Sequence, residues 1–221
     1  MNTLLEELYD THWQGYMENV RDACSSPAAF PYLIVAKDDY SRASDRIMIC
    51  GQETQGWGNE FDEQQAPVTV RQIIDIYRGF VWTGGYNSPY WAFINKMQVA
   101  LPSKGFVINN IVKVGRRHGP GCDDEINDKA LKFFPVNREE FSILKPDKIV
   151  FLTGPNYDWH IQRVLGPFSK TAVQDGTKCL DILTFRDPLL PQAIRCYHPA
   201  YLRRRKLTDS YIAKVIDFCK T

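Results

Sequence analysis

The cysteines of this chain lack the spacing of common metal-binding and redox motifs. There are six of them, and none forms the C-x-x-C pair found in zinc sites and dithiol enzymes. Several lie within apolar runs, as Cys50 does after Met48 and Ile49, which is typical of reduced thiols in a protein core. We therefore expect no disulfide framework, no metal, no iron–sulfur cluster and no other cofactor. The six are Cys24, Cys50, Cys122, Cys179, Cys196 and Cys219.

Long apolar runs are also missing. No stretch approaches the about 20 apolar residues that a membrane-spanning helix needs. The opening MNTLLEELYD lacks the basic and apolar segments of a signal peptide. We expect a soluble, cytoplasmic protein that does not associate with membranes. The net charge of +1 is too small for a uniformly basic surface, so DNA binding would require a local patch of cations.

Three common catalytic motifs do not occur in the chain. These are G-x-x-x-x-G-K-[ST], G-x-S-x-G and H-E-x-x-H. They are typical of P-loop nucleotide hydrolases, serine hydrolases and zinc metalloproteases. Their absence argues against the commonest hydrolase classes.

The chain does contain the pattern of one α/β domain over residues 1–221. Hydrophobic residues make up 44% and charged residues 24%, which is enough apolar material for a substantial core. Near-continuous apolar segments predict buried strands at 46–50, 105–110, 148–153 and 193–197. Apolar periodicity predicts helices at 4–20, 70–77, 89–101, 126–134, 137–144 and 209–218. Together they predict a three-layer α/β/α sandwich with a four-stranded parallel core sheet.

Polar residues follow each of the predicted strands. The segments are 51–53 (Gly-Gln-Glu), 109–110 (Asn-Asn), 154–156 (Gly-Pro-Asn) and 198–199 (His-Pro). Parallel α/β sheets bind ligands outside the carboxyl ends of their strands. Any one of these segments is explained as a turn or a helix cap. Their joint placement at one edge predicts a binding or catalytic site.

Four short segments are similar to motifs of the uracil-DNA glycosylase superfamily. Gly-Gln-Glu at 51–53 resembles the first motif, and Asn-Ile-Val-Lys at 110–113 resembles the strand end with the base-reading asparagine. Leu-Lys-Pro-Asp-Lys-Ile-Val at 144–150 resembles the Lys-Pro lead into the third strand. His-Pro-Ala-Tyr-Leu at 198–202 resembles the second motif, His-Pro-Ser-x-Leu. The resemblance implies the uracil-DNA glycosylase fold.

The chain also departs from that superfamily. Its first motif continues Thr54-Gln55-Gly56-Trp57, without the Pro-Tyr of the best-known branch, whose tyrosine excludes thymine. The four-cysteine cluster of another branch is absent. The resemblance therefore implies a divergent member, and it leaves open which base is removed and whether activity is retained.

The resemblance assigns the chemistry to Glu53 and His198. Base release creates positive charge on the sugar and negative charge on the leaving base. A carboxylate near the sugar and a hydrogen-bond donor to the base oxygen meet these two demands. Glu53 would supply the carboxylate, and His198 would donate to the base.

The resemblance also implies residues that bind the base. Asn110 would read its edge, because an amide offers both a donor and an acceptor, and Asn109 is the alternative. Gln52 would bridge to the base. Trp57 is the candidate aromatic floor for a flipped base, with Tyr90 and Trp91 as other aromatics to consider.

DNA contacts are expected directly after the second motif. Leu202 occupies the position of the family's wedge, the apolar side chain that fills the gap left by an extruded nucleotide. Arg203, Arg204, Arg205 and Lys206 would hold phosphates. These four residues are called the basic run below.

These expectations describe a monomeric DNA base-excision glycosylase. It would hydrolyse the N-glycosidic bond of uracil, or of a related deaminated or damaged base, flipped out of DNA. Two alternatives remain open. One is a noncatalytic nucleic-acid-binding module of the same fold, and the other is a nucleoside or nucleotide hydrolase.

Overall fold

The structure, a computed structural model, describes residues 1–61, 67–119, 121, 123–173 and 179–221. Cys122 of the predicted thiols lies outside them. Contacts within the chain divide it into two units, and the expectation of a single domain stays a prediction. The helical unit comprises Met1–Ala36, Glu53–Thr83 and Asn110–Leu144. The sheet unit comprises Lys37–Gln52, Gly84–Asn109 and Lys145–Thr221.

A six-stranded mixed sheet gives the protein its α/β class, as the sequence predicts. Its strands are β1 (Arg46–Gly51), β2 (Gly105–Asn110), β3 (Lys148–Phe151), β4 (Phe168–Ala172), β5 (Asp181–Phe185) and β6 (Ala193–Arg195). They lie in the order β2-β1-β3-β6-β5-β4. β3 runs parallel to β1 and to β6, and β5 runs antiparallel to β6 and to β4.

The four predicted strands are all present, but two more were not predicted. β4 is exposed along most of its length, so its residues lack the apolar pattern of a buried strand. Main-chain pairing with β5 over five residues, from Phe168 opposite Phe185 to Ala172 opposite Asp181, holds it in the sheet. Such pairing needs only backbone groups and a neighbouring edge, and neither leaves a signal in the side chains.

The predicted helices are confirmed, with shifts of a few residues at their ends. The helices of the described residues are α1 (Asn2–Tyr16), α2 (Asp38–Arg42), α3 (Val70–Val81), α4 (Pro89–Ala100), α5 (Asp124–Phe133), α6 (Asn137–Leu144), α7 (Asp158–Leu165), α8 (Pro199–Arg204) and α9 (Thr208–Lys220). Three of these were not predicted: α2, α7 and α8. α1 continues as a short π-helix, Met17–Arg21. None of the helices among the described residues is long and apolar enough to cross a membrane.

In the helical unit, α1 packs against α3, α5 and α6. Asn137 and Glu140 of α6 have the spacing of a capping box, and both side chains make tertiary contacts. Asn137 Nδ2 donates to the carbonyl oxygen of Ile111 at 3.0 Å. Glu140 pairs with Lys113 at 2.7 Å, with both side chains almost completely buried. These contacts tie the segment after β2 to α6.

In the sheet unit, α4 packs against α8 and α9. Ser88 caps α4 as its Ser-Pro sequence predicts, because the Ser88 hydroxyl accepts a hydrogen bond from the Trp91 amide at 3.3 Å. α8 begins at Pro199, directly after the loop that follows β6. The start of α8 therefore lies close to the carboxyl end of β6.

Candidate functional site

The carboxyl ends of β1, β3 and β6 lie side by side in the sheet unit, since these strands run parallel. Gln52, the residue after β1, donates from Nε2 to the carbonyl oxygen of Thr153 after β3 at 2.8 Å. The Gly154 amide in turn donates to the carbonyl oxygen of Cys196 after β6 at 2.8 Å. Gly154 has φ +75°, a conformation that favours glycine. The side chain of Gln52 is thus bound to the neighbouring strand end.

His198 lies at the carboxyl edge of the sheet and is the N-cap of α8. Its Nδ1 accepts a hydrogen bond from the Ala200 amide at 3.3 Å, and Pro199 fixes the first position of the helix. Because Nδ1 is an acceptor, the neutral ring carries its proton on Nε2. Among the described residues, Nε2 has no hydrogen-bond partner.

The surroundings of His198 favour this neutral form. Burial lowers the pKa of His198 below its ordinary value of 6.5, and the nearby positive charge of Arg204 lowers it further. The imidazole is therefore an uncharged hydrogen-bond donor at neutral pH. This combination is suited to an oxygen on which negative charge develops.

The ring of Tyr90, on α4, stacks against the ring of His198. The two centroids are 5.7 Å apart and the planes differ by 9°. The Tyr90 hydroxyl oxygen is buried and has no hydrogen-bond partner among the described residues. Burial raises the pKa of Tyr90 well above its ordinary value. The sequence indicated Tyr90 only as one of several aromatics that could lie under a flipped base.

The two asparagines at the end of β2 differ in accessibility. Asn109 is completely buried, and its Nδ2 contacts Met48 Sδ at 3.7 Å. Asn110 is also buried, but 6% of the residue is exposed. The difference favours Asn110 over Asn109 as a residue that contacts a ligand.

Glu53 and Trp57 belong to the helical unit, in the loop that follows β1. Glu53 is partly exposed. Around Thr54 the loop lies so close to the segment after β2 that a Cβ on Gly115 would be only 1.8 Å from the Thr54 carbonyl oxygen. The Gly56 amide donates to the carbonyl oxygen of Arg116 at 3.0 Å. These contacts hold the Glu53 loop against the segment that follows Asn110.

Trp57 is a core side chain in this unit. It is 8% exposed, and its ring contacts Tyr32 at 4.8 Å and Phe80 at 5.9 Å between centroids. Packing against these rings explains its position without a ligand. The role of aromatic floor for Trp57 stays a prediction.

Leu202 does not have the position that a wedge requires. Its side chain is completely buried in α8, whereas a wedge must project from the surface into the base stack. This burial argues against the wedge role, which stays a prediction. Helical geometry places Leu202 on the inner face of α8, whereas the cations that follow it in sequence are exposed. Leu202 is a core residue of the sheet unit.

We predict that Leu202→Ala lowers the free energy of unfolding by about 2–5 kcal/mol, the cost of a cavity at a buried leucine. Denaturant unfolding measures it, with Leu189→Ala as the matched control, since Leu189 is 90% exposed. Affinity for single-stranded DNA should stay the same in the folded variant. Unchanged stability together with weaker binding of duplex DNA would restore the wedge role to Leu202.

The basic run is exposed at all four positions. Beside it, Tyr197 and Tyr201 form an aromatic pair with centroids 4.2 Å apart. The guanidinium carbon of Arg205 lies 5.5 Å from the Tyr201 ring centroid. Sequence reasoning missed this pair, although the four-residue spacing of two tyrosines beside cations could have indicated it.

Among the described residues, no group of three or more His, Cys, Asp or Glu side chains is arranged to hold a metal ion. Comparison of the chain with protein-family models and with curated proteins found no match.

Proposed function

We propose that the protein is a DNA glycosylase that releases uracil, or a related deaminated or damaged base, from DNA. The observation that carries the proposal is the state of His198. It is a half-buried, neutral imidazole at the carboxyl edge of the sheet, with Nδ1 engaged and the Nε2 proton available. Parallel α/β sheets bind their ligands at this edge.

In the proposed reaction, the bond between the base nitrogen and the sugar carbon breaks. Its electron pair stays with the base, where Nε2–H of His198 stabilises the charge that develops on a carbonyl oxygen. Water then adds to the sugar carbon, and the proton that it loses neutralises the released base anion. Glu53, the residue after Gln52, is proposed as the carboxylate that stabilises the cationic sugar and orients this water.

Base recognition is proposed for Gln52 and Asn110. Gln52 keeps its amide oxygen for a ligand, because its hydrogen bond to Thr153 uses only the Nε2 group. Asn110 is the more accessible of the two asparagines at the end of β2. Both are amides, which can pair with the mixed donors and acceptors of a base edge.

The direction of β2 and the arrangement of helices on the sheet are part of the same proposal. We propose that β2 runs parallel to β1 and that helices cover the sheet as a three-layer α/β/α sandwich of the uracil-DNA glycosylase type. The Gly105 amide, at the start of β2, donates to the carbonyl oxygen of Asp45, just before β1. Lys104 Nζ pairs with the Asp45 carboxylate at 2.8 Å. Contacts between the two strand beginnings support a parallel arrangement.

The basic run supports DNA as the partner. Its four cations are exposed on and just after the helix that His198 caps, so they supply the local patch that a net charge of +1 requires. The Tyr201–Arg205 contact adds an aromatic ring and a guanidinium, both of which stack on unpaired bases.

The burial of Leu202 favours a second candidate function. If Leu202 does not act as a wedge, single-stranded DNA or a free nucleoside or nucleotide would be the easier substrate, because neither requires a duplex stack to be opened. A nucleoside or nucleotide hydrolase is therefore the alternative. It would use the same His198 and Gln52.

The test is incubation with uracil-containing single-stranded and duplex oligonucleotides, followed by alkaline cleavage, in parallel with deoxyuridine and its monophosphate. We expect cleavage of oligonucleotides, with single strands cleaved faster than duplexes. Base release from the free nucleoside or nucleotide alone would support the second candidate. DNA binding with no base release from any substrate would indicate a noncatalytic module.

We predict that replacing the basic run with glutamines weakens DNA binding mainly through phosphates. If at least two of the four cations contact phosphates, the slope of log affinity against log salt should fall by at least about 1.4 on single strands, at about 0.7 for each contact. Fluorescence anisotropy at several salt concentrations measures it, with the exposed Arg42→Gln as the control. An unchanged slope would show that the run is only a solvated surface.

A further inference from the structure

His198 has one long hydrogen bond within the chain and one ring contact, with Tyr90. The bond from the Ala200 amide to Nδ1 is 3.3 Å long, beyond the usual range of 2.7–3.2 Å for such bonds. It cannot by itself hold the imidazole in one orientation. The Tyr90 ring lies beside the imidazole in a nearly parallel, offset arrangement, with centroids 5.7 Å apart, and restricts the rotation of the imidazole.

Tyr90 is itself held at a defined position. It is the second residue of α4, between the Ser88 cap with Pro89 and the buried Trp91, whose ring contacts Tyr90 at 5.6 Å. α4 packs against α8, the helix that His198 caps. The start of α4 therefore holds the Tyr90 ring beside His198 at the start of α8.

The hydroxyl and the aromatic ring of Tyr90 can be tested separately by substitution. The hydroxyl is buried without a partner among the described residues, and a buried donor in that state costs stability. A phenylalanine would stack in the same way without that cost. Tyr90→Phe therefore removes the hydroxyl alone, whereas Tyr90→Leu removes the aromatic ring.

We propose that Tyr90 is a positioning residue, whose ring holds the His198 imidazole with Nδ1 toward the Ala200 amide and Nε2–H free for the substrate. The catalytic part of this inference rests on the proposed function. The positional part does not, because it concerns the orientation of His198 in the protein without substrate.

The Tyr90 ring lies next to an imidazole whose burial lowers its pKa. The charge of Arg204, on α8, lowers the pKa of His198. Cys50, on β1, is a titratable group near Tyr90. Arg204 remains in every Tyr90 variant. Loss of the ring should therefore expose the imidazole to water and raise its pKa, while the contribution of Arg204 stays.

The experiment is an NMR titration of the His198 ring in the wild type, Tyr90→Phe and Tyr90→Leu. In the wild type and Tyr90→Phe we expect a midpoint below 6.5 and a ring proton on Nε2. In Tyr90→Leu we expect a higher midpoint and mixed tautomers. Tyr86→Leu is the control, since Tyr86 is 64% exposed. If Tyr90→Leu does not fold, Tyr90→Met replaces it.

Kinetics with the uracil-containing single strand complete the test. We expect kcat to fall by about tenfold or more in Tyr90→Leu, with a smaller change in KM, because misorientation affects the chemical step. Tyr90→Phe should retain the wild-type kcat, because it keeps the aromatic ring. A folded Tyr90→Leu or Tyr90→Met with the wild-type midpoint, tautomer and kcat would overturn the proposal. If the wild type releases no base, the proposed function fails, and the titration alone decides the position of Tyr90.

Discussion

His198→Ala should slow base release from a uracil-containing single strand by about 10²–10³-fold, the usual contribution of one hydrogen-bond donor to a developing anion. The substitution removes the Nε2 proton that the neutral ring offers. Affinity for the oligonucleotide should change little, because the exposed basic run remains in place. Single-turnover kinetics and fluorescence anisotropy measure the two quantities separately.

Glu53→Gln should have a similar effect on the rate. It keeps the size of the side chain and removes the charge that would stabilise a cationic sugar. Glu60→Gln, an exposed acid farther along the same loop, is the control. Wild-type rates in both His198→Ala and Glu53→Gln would show that the motifs at 51–53 and 198–202 do not carry the chemistry.

Glu140→Ala should lower the free energy of unfolding by about 3–5 kcal/mol, the cost of leaving a buried charge without its partner. The carboxylate lies 2.7 Å from Lys113 Nζ, and the two side chains are 0% and 1% exposed. The Tyr9 hydroxyl also donates to it at 2.7 Å, and Lys113 Nζ donates to the Tyr32 carbonyl oxygen at 2.8 Å. Urea unfolding measures the change.

Glu139→Ala is the matched control, because Glu139 precedes Glu140 on α6 and is exposed. It should leave stability nearly unchanged. Replacing both charges, as in Lys113→Met with Glu140→Leu, should recover much of the loss, since no buried charge is then unpaired. Equal, small losses in Glu139→Ala and Glu140→Ala would contradict a buried ion pair.

The predicted elements show what local pattern can determine. The segments that became β1, β2, β3 and β6 are near-continuous apolar runs, and such runs are stable only where a sheet is covered on both faces. The Ser88-Pro89 cap and the apolar spacing of α4 likewise depend on residues a few positions apart. For these features the physical cause lies within the segment itself.

Local pattern could not determine which side chains are accessible. Leu202 follows His198 by four residues and precedes four cations, yet it faces the core. Asn137 and Glu140 have the spacing of a cap, yet they bind residues after β2. In each case a partner distant in the chain determines the direction or contact of the side chain.

The sequence by itself determined the α/β class, the positions of the four apolar strands, and the polar residues that follow them. It did so because hydrophobic periodicity and turn chemistry act over neighbouring residues. Only the tertiary structure decided that Leu202 is buried, that β4 and β5 extend the sheet, and that Tyr90 stacks on His198. Those outcomes depend on packing and pairing between distant segments, whose free energy no single segment contains.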